Sequence, residues 1–315
     1  MMRRPAAKWF GLAFSAACLA YFVVETRKVW SDEAIAWSGS QVVHALPLAM
    51  LPYFAAYSIL ALAWHLLLRA MGVEVAARRS VGIYLTTQIA KYLPGNVGQH
   101  VGRVYLSSAN GMPAMRVGMS MLVEIALVVG AAFVLALPLL PQIVARVQDS
   151  RAAGFPWLAI ALAIAACGAI AAFALRRHRH VASLLEHARA AWRHANTAGG
   201  RRYLLGACAL VLAGMTLAGA SLAVLAVSSA TTITSSAIAT SVAVFSAAWI
   251  AGFLAPGAPA GLGIREAILL AGLSPTFGSG TAVQIAILFR VLSVSADLVA
   301  LCVGGLLLRA RPETA

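Results

Sequence analysis

The sequence predicts an all-α polytopic membrane protein with about six full transmembrane helices and two re-entrant helical hairpins in an inverted repeat. Three observations predict it. Of 315 residues, 61% are hydrophobic and only 11% charged, whereas a soluble domain is roughly half apolar and about a quarter charged. Apolar runs long enough to cross a bilayer recur along the chain. Two shorter apolar runs, in corresponding places, are each interrupted by Gly and Pro. The whole chain, 1–315, therefore reads as one transmembrane domain without a sizeable soluble part.

The first apolar run, 9–24, follows Arg3, Arg4 and Lys8. Those charges, with Ser15-Ala16-Ala17-Cys18, raise a signal peptide or lipoprotein site. No small-residue cleavage site ends the run, so an uncleaved helix is expected. Runs 42–68, 115–139, 156–175, 203–227 and 281–308 complete the set of full spans. Runs 81–93 and 237–254 lead into a Pro/Gly-rich break and a second short apolar helix. Neither pair has the length for two comfortable crossings, which predicts re-entrant hairpins over 81–112 and 237–274. Lipid tolerates such backbone only where protein buries it.

Orientation follows from charge. Net charge is +14, from 24 Lys and Arg against 10 Asp and Glu. In a membrane protein that excess belongs to cytoplasmic loops before it argues for nucleic acid, which is not an expected partner. High and low loop counts alternate only if both termini are cytoplasmic. The basic loop 176–202 has seven Arg, with Val181, Leu184, Leu185, Ala188 and Trp192 at helical spacing. It reads either as an interfacial amphipathic helix beside anionic headgroups or as a solvated positive-inside loop. Cys18, Cys167, Cys208 and Cys302 lie in apolar runs without metal-ligand spacing, and read as small buried hydrophobes.

Sliding the chain on itself by 162 positions aligns Pro94 with Pro256, Gly95 with Gly257, Arg103 with Arg265, Ala109 with Ala271, Pro113 with Pro275 and Gly118 with Gly280. Three crossings separate the copies, and an odd number inverts the second. The first repeat is then 9–139 and the second 156–308. Interrupted apolar segments at matching positions point to a binding site at the midplane.

In each hairpin the second helix is expected to begin inside the membrane, after Gly95-Asn96-Val97-Gly98 and after Ala260-Gly261-Leu262-Gly263. Its first amides lack intrahelical partners, and Arg103 or Arg265 stands nearby to fork onto a phosphate or carboxylate. Lys91, Glu124, Glu266, Arg290 and Asp297 are the other ionisable groups at membrane depth, each costing on the order of 3 kcal/mol at a helix centre. Four cations against three anions leave one positive charge for an anionic guest. The alternative is that these groups pair with one another and pin helices together. Arg290 and Asp297, seven residues apart on one helix face, cannot touch directly, and adjacent Arg265 and Glu266 should have different partners. His100 either contacts a phosphate or is a hydrogen-bonded structural histidine. The expected substrate-binding set is Lys91, Gly95, Asn96, Gly98, His100, Arg103, Gly261, Gly263 and Arg265. Glu124, Glu266, Arg290 and Asp297 are expected as coupling or structural ion pairs. No catalytic, metal or cofactor site is expected.

Lys91-Tyr92-Leu93-Pro94-Gly95-Asn96-Val97-Gly98 followed by Gly102-Arg103, and the segment from Ala255 to Glu266, resemble the lysylphosphatidylglycerol synthase transmembrane-domain family. That family includes the flippase half of the multiple peptide resistance factor and stand-alone bacterial inner-membrane proteins, some associated with hopanoid biosynthesis. The resemblance implies lipid translocation, with Arg103, Arg265, Glu266 and Glu124 at the family's motif positions. Ala260 stands where the family commonly has glycine, and Gln99-His100 occupies a variable stretch, so headgroup preference does not transfer. With no soluble aminoacyl-transferase domain after Leu308, lipid synthesis is not expected.

The expected function is a flippase, not an enzyme, moving a phosphate-bearing or otherwise anionic lipid across the inner membrane: a phospholipid, aminoacyl-phospholipid, polyprenyl or hopanoid-related lipid. Its partners are membrane lipids and, among proteins, a second copy of the chain or a lipid-biosynthesis enzyme. The competing reading is an integral-membrane glycosyltransferase acting on a lipid-linked sugar, with Asp32 and Glu33 as acid pair, although these also read as solvated loop acids.

Overall fold

The computed structural model describes residues 23–24, 39–93, 97–139, 141, 192–229, 234–255 and 258–309. All regular structure among them is helical. In chain order the helices are α1 (Gly39–Ala70), α2 (Ala77–Thr87), α3 (Gly98–Ala109), α4 (Ala114–Ala136), α5 (Ala198–Ser229), α6 (Ser235–Leu254), α7 (Ile264–Phe277) and α8 (Ser279–Arg309). The protein is an all-α polytopic membrane protein: five described helices are long and apolar enough to cross a bilayer, α1, α4, α5, α6 and α8. Four of these occupy sequence-predicted spans. The runs at 9–24 and 156–175 lie almost wholly outside the described residues, as does most of the basic loop 176–202.

α6 is longer than the apolar run 237–254 read from sequence. At 20 residues it spans a bilayer by length alone, because its helix starts two positions before the apolar run, at Ser235. The N-cap there is Thr234, whose hydroxyl accepts from the Ala237 amide at 3.2 Å. Of the pair α6 and α7, only α7, with 14 residues, is too short at 1.5 Å of rise per residue.

Small residues decide which helices approach. α1 and α5 form the largest helix pair, and a Cβ on Gly214 of α5 would lie 2.9 Å from the Leu60 Cγ of α1. Gly304 of α8 meets the Thr86 amide nitrogen of α2 at 2.6 Å in the same sense, and Gly219 of α5 meets the Val242 Cα of α6 at 2.9 Å. Where apolar burial gives no net drive between helices, such close backbone approach is what holds them. The remaining contacts are reciprocal: α8 of the second half lies on α2, and α6 lies on α4 of the first half.

α1 ends in a Schellman turn, in which Gly72 has φ +73° and the Val73 amide donates to the Leu68 carbonyl at 2.9 Å. Arg116, near the start of α4, donates to the Gly72 carbonyl at 2.9 Å. α2 and α3 therefore lie between two points of the chain that are in contact. Between them, residues 88–97 form the first break, part of which, 94–96, lies outside the described residues.

Candidate functional site

Each break is built by backbone that only small residues allow. α2 tightens into one 3-10 turn, Gln88–Tyr92, and α3 restarts at Gly98. A Cβ on Gly98 would lie 2.3 Å from the Ala90 carbonyl oxygen, so the chain folds back on itself there without room for a side chain. In the second break a 3-10 turn, Pro259–Gly261, precedes α7, with Gly261 at φ +70° and Gly263 at φ +82°. Ala260 has φ +51°, a left-handed conformation that costs an L-residue roughly 1–2 kcal/mol. The two 3-10 turns touch, so the breaks meet inside the molecule.

Around them, among the described residues, the ionisable groups form three ion pairs. Asp297 of α8 is fully buried, and one of its oxygens is 2.8 Å from the Lys91 ammonium. It also accepts from the Tyr57 hydroxyl at 2.7 Å and the Tyr92 hydroxyl at 2.8 Å. Arg103 of α3 pairs with Glu124 of α4. Its guanidinium carbon lies 4.2 Å from the Tyr84 ring centre and 4.9 Å from that of Trp64, whose indole nitrogen donates to Ser120 at 3.1 Å. Arg290 of α8 pairs with Glu266 of α7 at 3.2 Å. The other Glu266 oxygen accepts from the Gly263 amide at 2.8 Å, a carboxylate reaching back over the start of its own helix.

Two expectations are corrected by this arrangement. Arg103 is not at the amide end of its helix; it sits in the second turn of α3, which begins at Gly98, and it turns toward α4. The start of α7 is not wholly open either, because Glu266 already accepts from the Gly263 amide.

Arg265 is the remaining cation of the cluster, and among the described residues it has no ion pair. Its Nε is buried with no hydrogen-bond partner. The side chain threads between two glycines: a Cβ on Gly252 would lie 2.6 Å from its Cγ, and one on Gly261 2.8 Å from its Nε. It lines a cavity of about 90 Å³ together with Lys91, Gln99, His100, Arg103 and Glu124. A second cavity of about 20 Å³ lies on its other side, against Glu266, Arg290 and Ala286. The 162-residue offset that aligns Arg103 with Arg265 aligns Glu124 with Ala286. Arg103 has a carboxylate partner in Glu124, and the residue aligned with Glu124 by that offset is an alanine.

The structure thus brings Lys91, His100, Arg103, Glu124 and Arg265 to one cavity, with Glu266 and Arg290 beside it and Asp297 behind Lys91. Gly98, Gly261 and Gly263 shape the two breaks, and Gly95 and Asn96 lie outside the described residues. His100 Nδ1 is buried without a partner. Sequence reasoning missed Tyr57, Tyr92, Tyr84 and Trp64. Their signal was available, since a tyrosine or tryptophan within an apolar run needs a partner for its polar tip. Asp32 and Glu33 lie outside the described residues. Among the described residues no group of three or more His, Cys, Asp or Glu converges.

No curated protein and no solved structure matches the chain significantly. The family model described as the lysylphosphatidylglycerol synthase TM region matches residues 8–301, nearly the full length and both breaks, and the chain belongs to that family.

Proposed function

We propose that the chain is a flippase that moves a phosphate-bearing or otherwise anionic lipid across the inner membrane and catalyses no chemical step. The observation that carries this reading is Arg265, a cation without a counter-charge among the described residues, facing the cavity where two helix breaks meet. A charge at membrane depth without a partner is costly, and a transient anion offsets that cost. The headgroup enters the cavity while the acyl chains stay outside, along faces such as Val97, Val101 and Tyr105, which are exposed on one side of α3.

The reciprocal contacts of α8 with α2 and of α6 with α4 support an inverted repeat over 9–139 and 156–308. The Arg116–Gly72 contact supports a re-entrant first hairpin. On the charge count both termini are cytoplasmic. A second copy or a lipid-biosynthesis enzyme is the protein partner this reading allows.

Native mass spectrometry of the purified protein tests the reading. Wild type is expected to retain a phosphate-bearing lipid that Arg265→Gln releases. Retention of neutral lipids alone, or identical lipid profiles for both proteins, would overturn it.

A further inference from the structure

We infer that the second, smaller cavity is a halide site, in which a chloride ion serves as counter-ion to Arg265. The arginine side chain lines both cavities and stands between them. The halide site goes beyond the lipid reading above and does not depend on it.

The first support is the balance of charge around this cavity. Four polar side chains line it: Arg265 and Glu266 of α7, and Arg290 and Ser293 of α8. Two of them are turned elsewhere. Glu266 meets Arg290 with one oxygen and the Gly263 amide with the other, and the Ser293 hydroxyl donates to the Arg290 carbonyl at 2.9 Å. Arg265 has no ion pair among the described residues, and its buried Nε has no hydrogen-bond partner. Arg290 reaches Glu266 through Nη1 at 3.2 Å, longer than the roughly 2.7–2.9 Å of a close charge-assisted pair. Two guanidinium groups against one carboxylate leave one positive charge, which a single monovalent anion balances.

The second support is size. A cavity of about 20 Å³ holds one particle about as large as a water molecule, which admits a monatomic anion and excludes a phosphate group with its four oxygens. Phe245, Leu269 and Phe289 make the rest of the wall apolar, and away from bulk water the attraction between a halide and a guanidinium is stronger than in solution. A neutral water molecule in the same space would leave the arginine charge unmet. Position points the same way. Ala286, the residue aligned with Glu124 by the 162-residue offset, belongs to the wall of this cavity. Arg103 is met by a carboxylate of the chain, whereas beside Arg265 the aligned residue is an alanine next to a space of ionic size.

The Tm of the full chain in detergent, followed as sodium gluconate is replaced by sodium chloride or sodium bromide at constant sodium concentration, tests this. Gluconate is too large for the cavity and sets the baseline, in which wild type and Arg265→Gln should melt alike. Either halide is expected to raise the wild-type Tm along a saturating curve. In Arg265→Gln the concentration giving half of that rise should increase on the order of tenfold, the loss of one charge-assisted contact. Ala286→Glu supplies a fixed carboxylate and should show no halide-dependent rise. The anomalous scattering of bromide in wild-type crystals locates the ion without any variant having to fold, and a peak between Arg265 and Arg290 is expected. A Tm that follows chloride linearly or not at all, a wild-type response in Arg265→Gln or Ala286→Glu, or bromide density absent from this cavity overturns the halide site. Each of these outcomes leaves the lipid reading standing, because that reading is decided by lipid retention.

Discussion

Asp297 is fully buried in α8, yet it is the acceptor for a lysine on one break and two tyrosines on either side of it. Removing its charge leaves the Lys91 ammonium buried without a counter-ion. Asp297→Asn should therefore lower stability by about 3–5 kcal/mol, read as a fall in Tm in detergent. Ala260 offers the opposite change. Its φ of +51° is relieved by glycine, and Ala260→Gly should raise stability by about 1 kcal/mol in the same measurement. At this scale the sequence revealed the ionisable residues by their depth in apolar runs, and their partners only by exclusion. The seven-residue spacing of Arg290 and Asp297 separated those two. That Lys91 meets Asp297, 206 positions away, is decided by how α8 packs on α2, which local pattern does not encode.

At the scale of elements, the breaks were legible because Gly and Pro punctuate apolar runs, but the role of each glycine was not. Gly252 lies inside α6, where glycine ordinarily only weakens a helix. The structure gives it the task of making room for Arg265. Gly252→Ala should displace that side chain, cost about 1–3 kcal/mol by overpacking, and depress lipid movement more than stability. Gly118→Ala serves as control. A Cβ there meets nothing within 4 Å on α4, so the change should be neutral or stabilise by about 0.5–1 kcal/mol. The two residues by which α6 exceeds its apolar run were hidden for a related reason: Ser235 and Ser236, which follow the cap at Thr234, are polar and fall outside a hydropathy run.

Over the whole molecule, the repeat read from sequence is a repeat of backbone devices more than of charges. The offset preserves the proline, glycine and arginine of each break and exchanges Glu124 for Ala286. Supplying the missing acid should neutralise the site from within. Ala286→Glu is expected to abolish lipid retention in native mass spectrometry, while Ala286→Gln, of equal volume, retains more of it. The charge-based orientation is tested by single cysteines at Asn196 and Ser236, both exposed and on opposite sides of α5 in sequence. An impermeant maleimide should label the Ser236→Cys protein in intact cells and the Asn196→Cys protein only after permeabilisation.

The central claim is that Arg265 receives an anionic headgroup during translocation. Proteoliposomes carrying a fluorescent phosphatidylglycerol, with dithionite quenching of the outer leaflet over time, measure that movement directly. The account predicts exchange in wild-type vesicles well above that of empty ones. It also predicts a fall on the order of tenfold in Arg265→Gln, the loss of one charge-assisted contact, with Tm unchanged. Wild-type vesicles no faster than empty ones, or a folded Arg265→Gln protein moving the lipid at the wild-type rate, would contradict it.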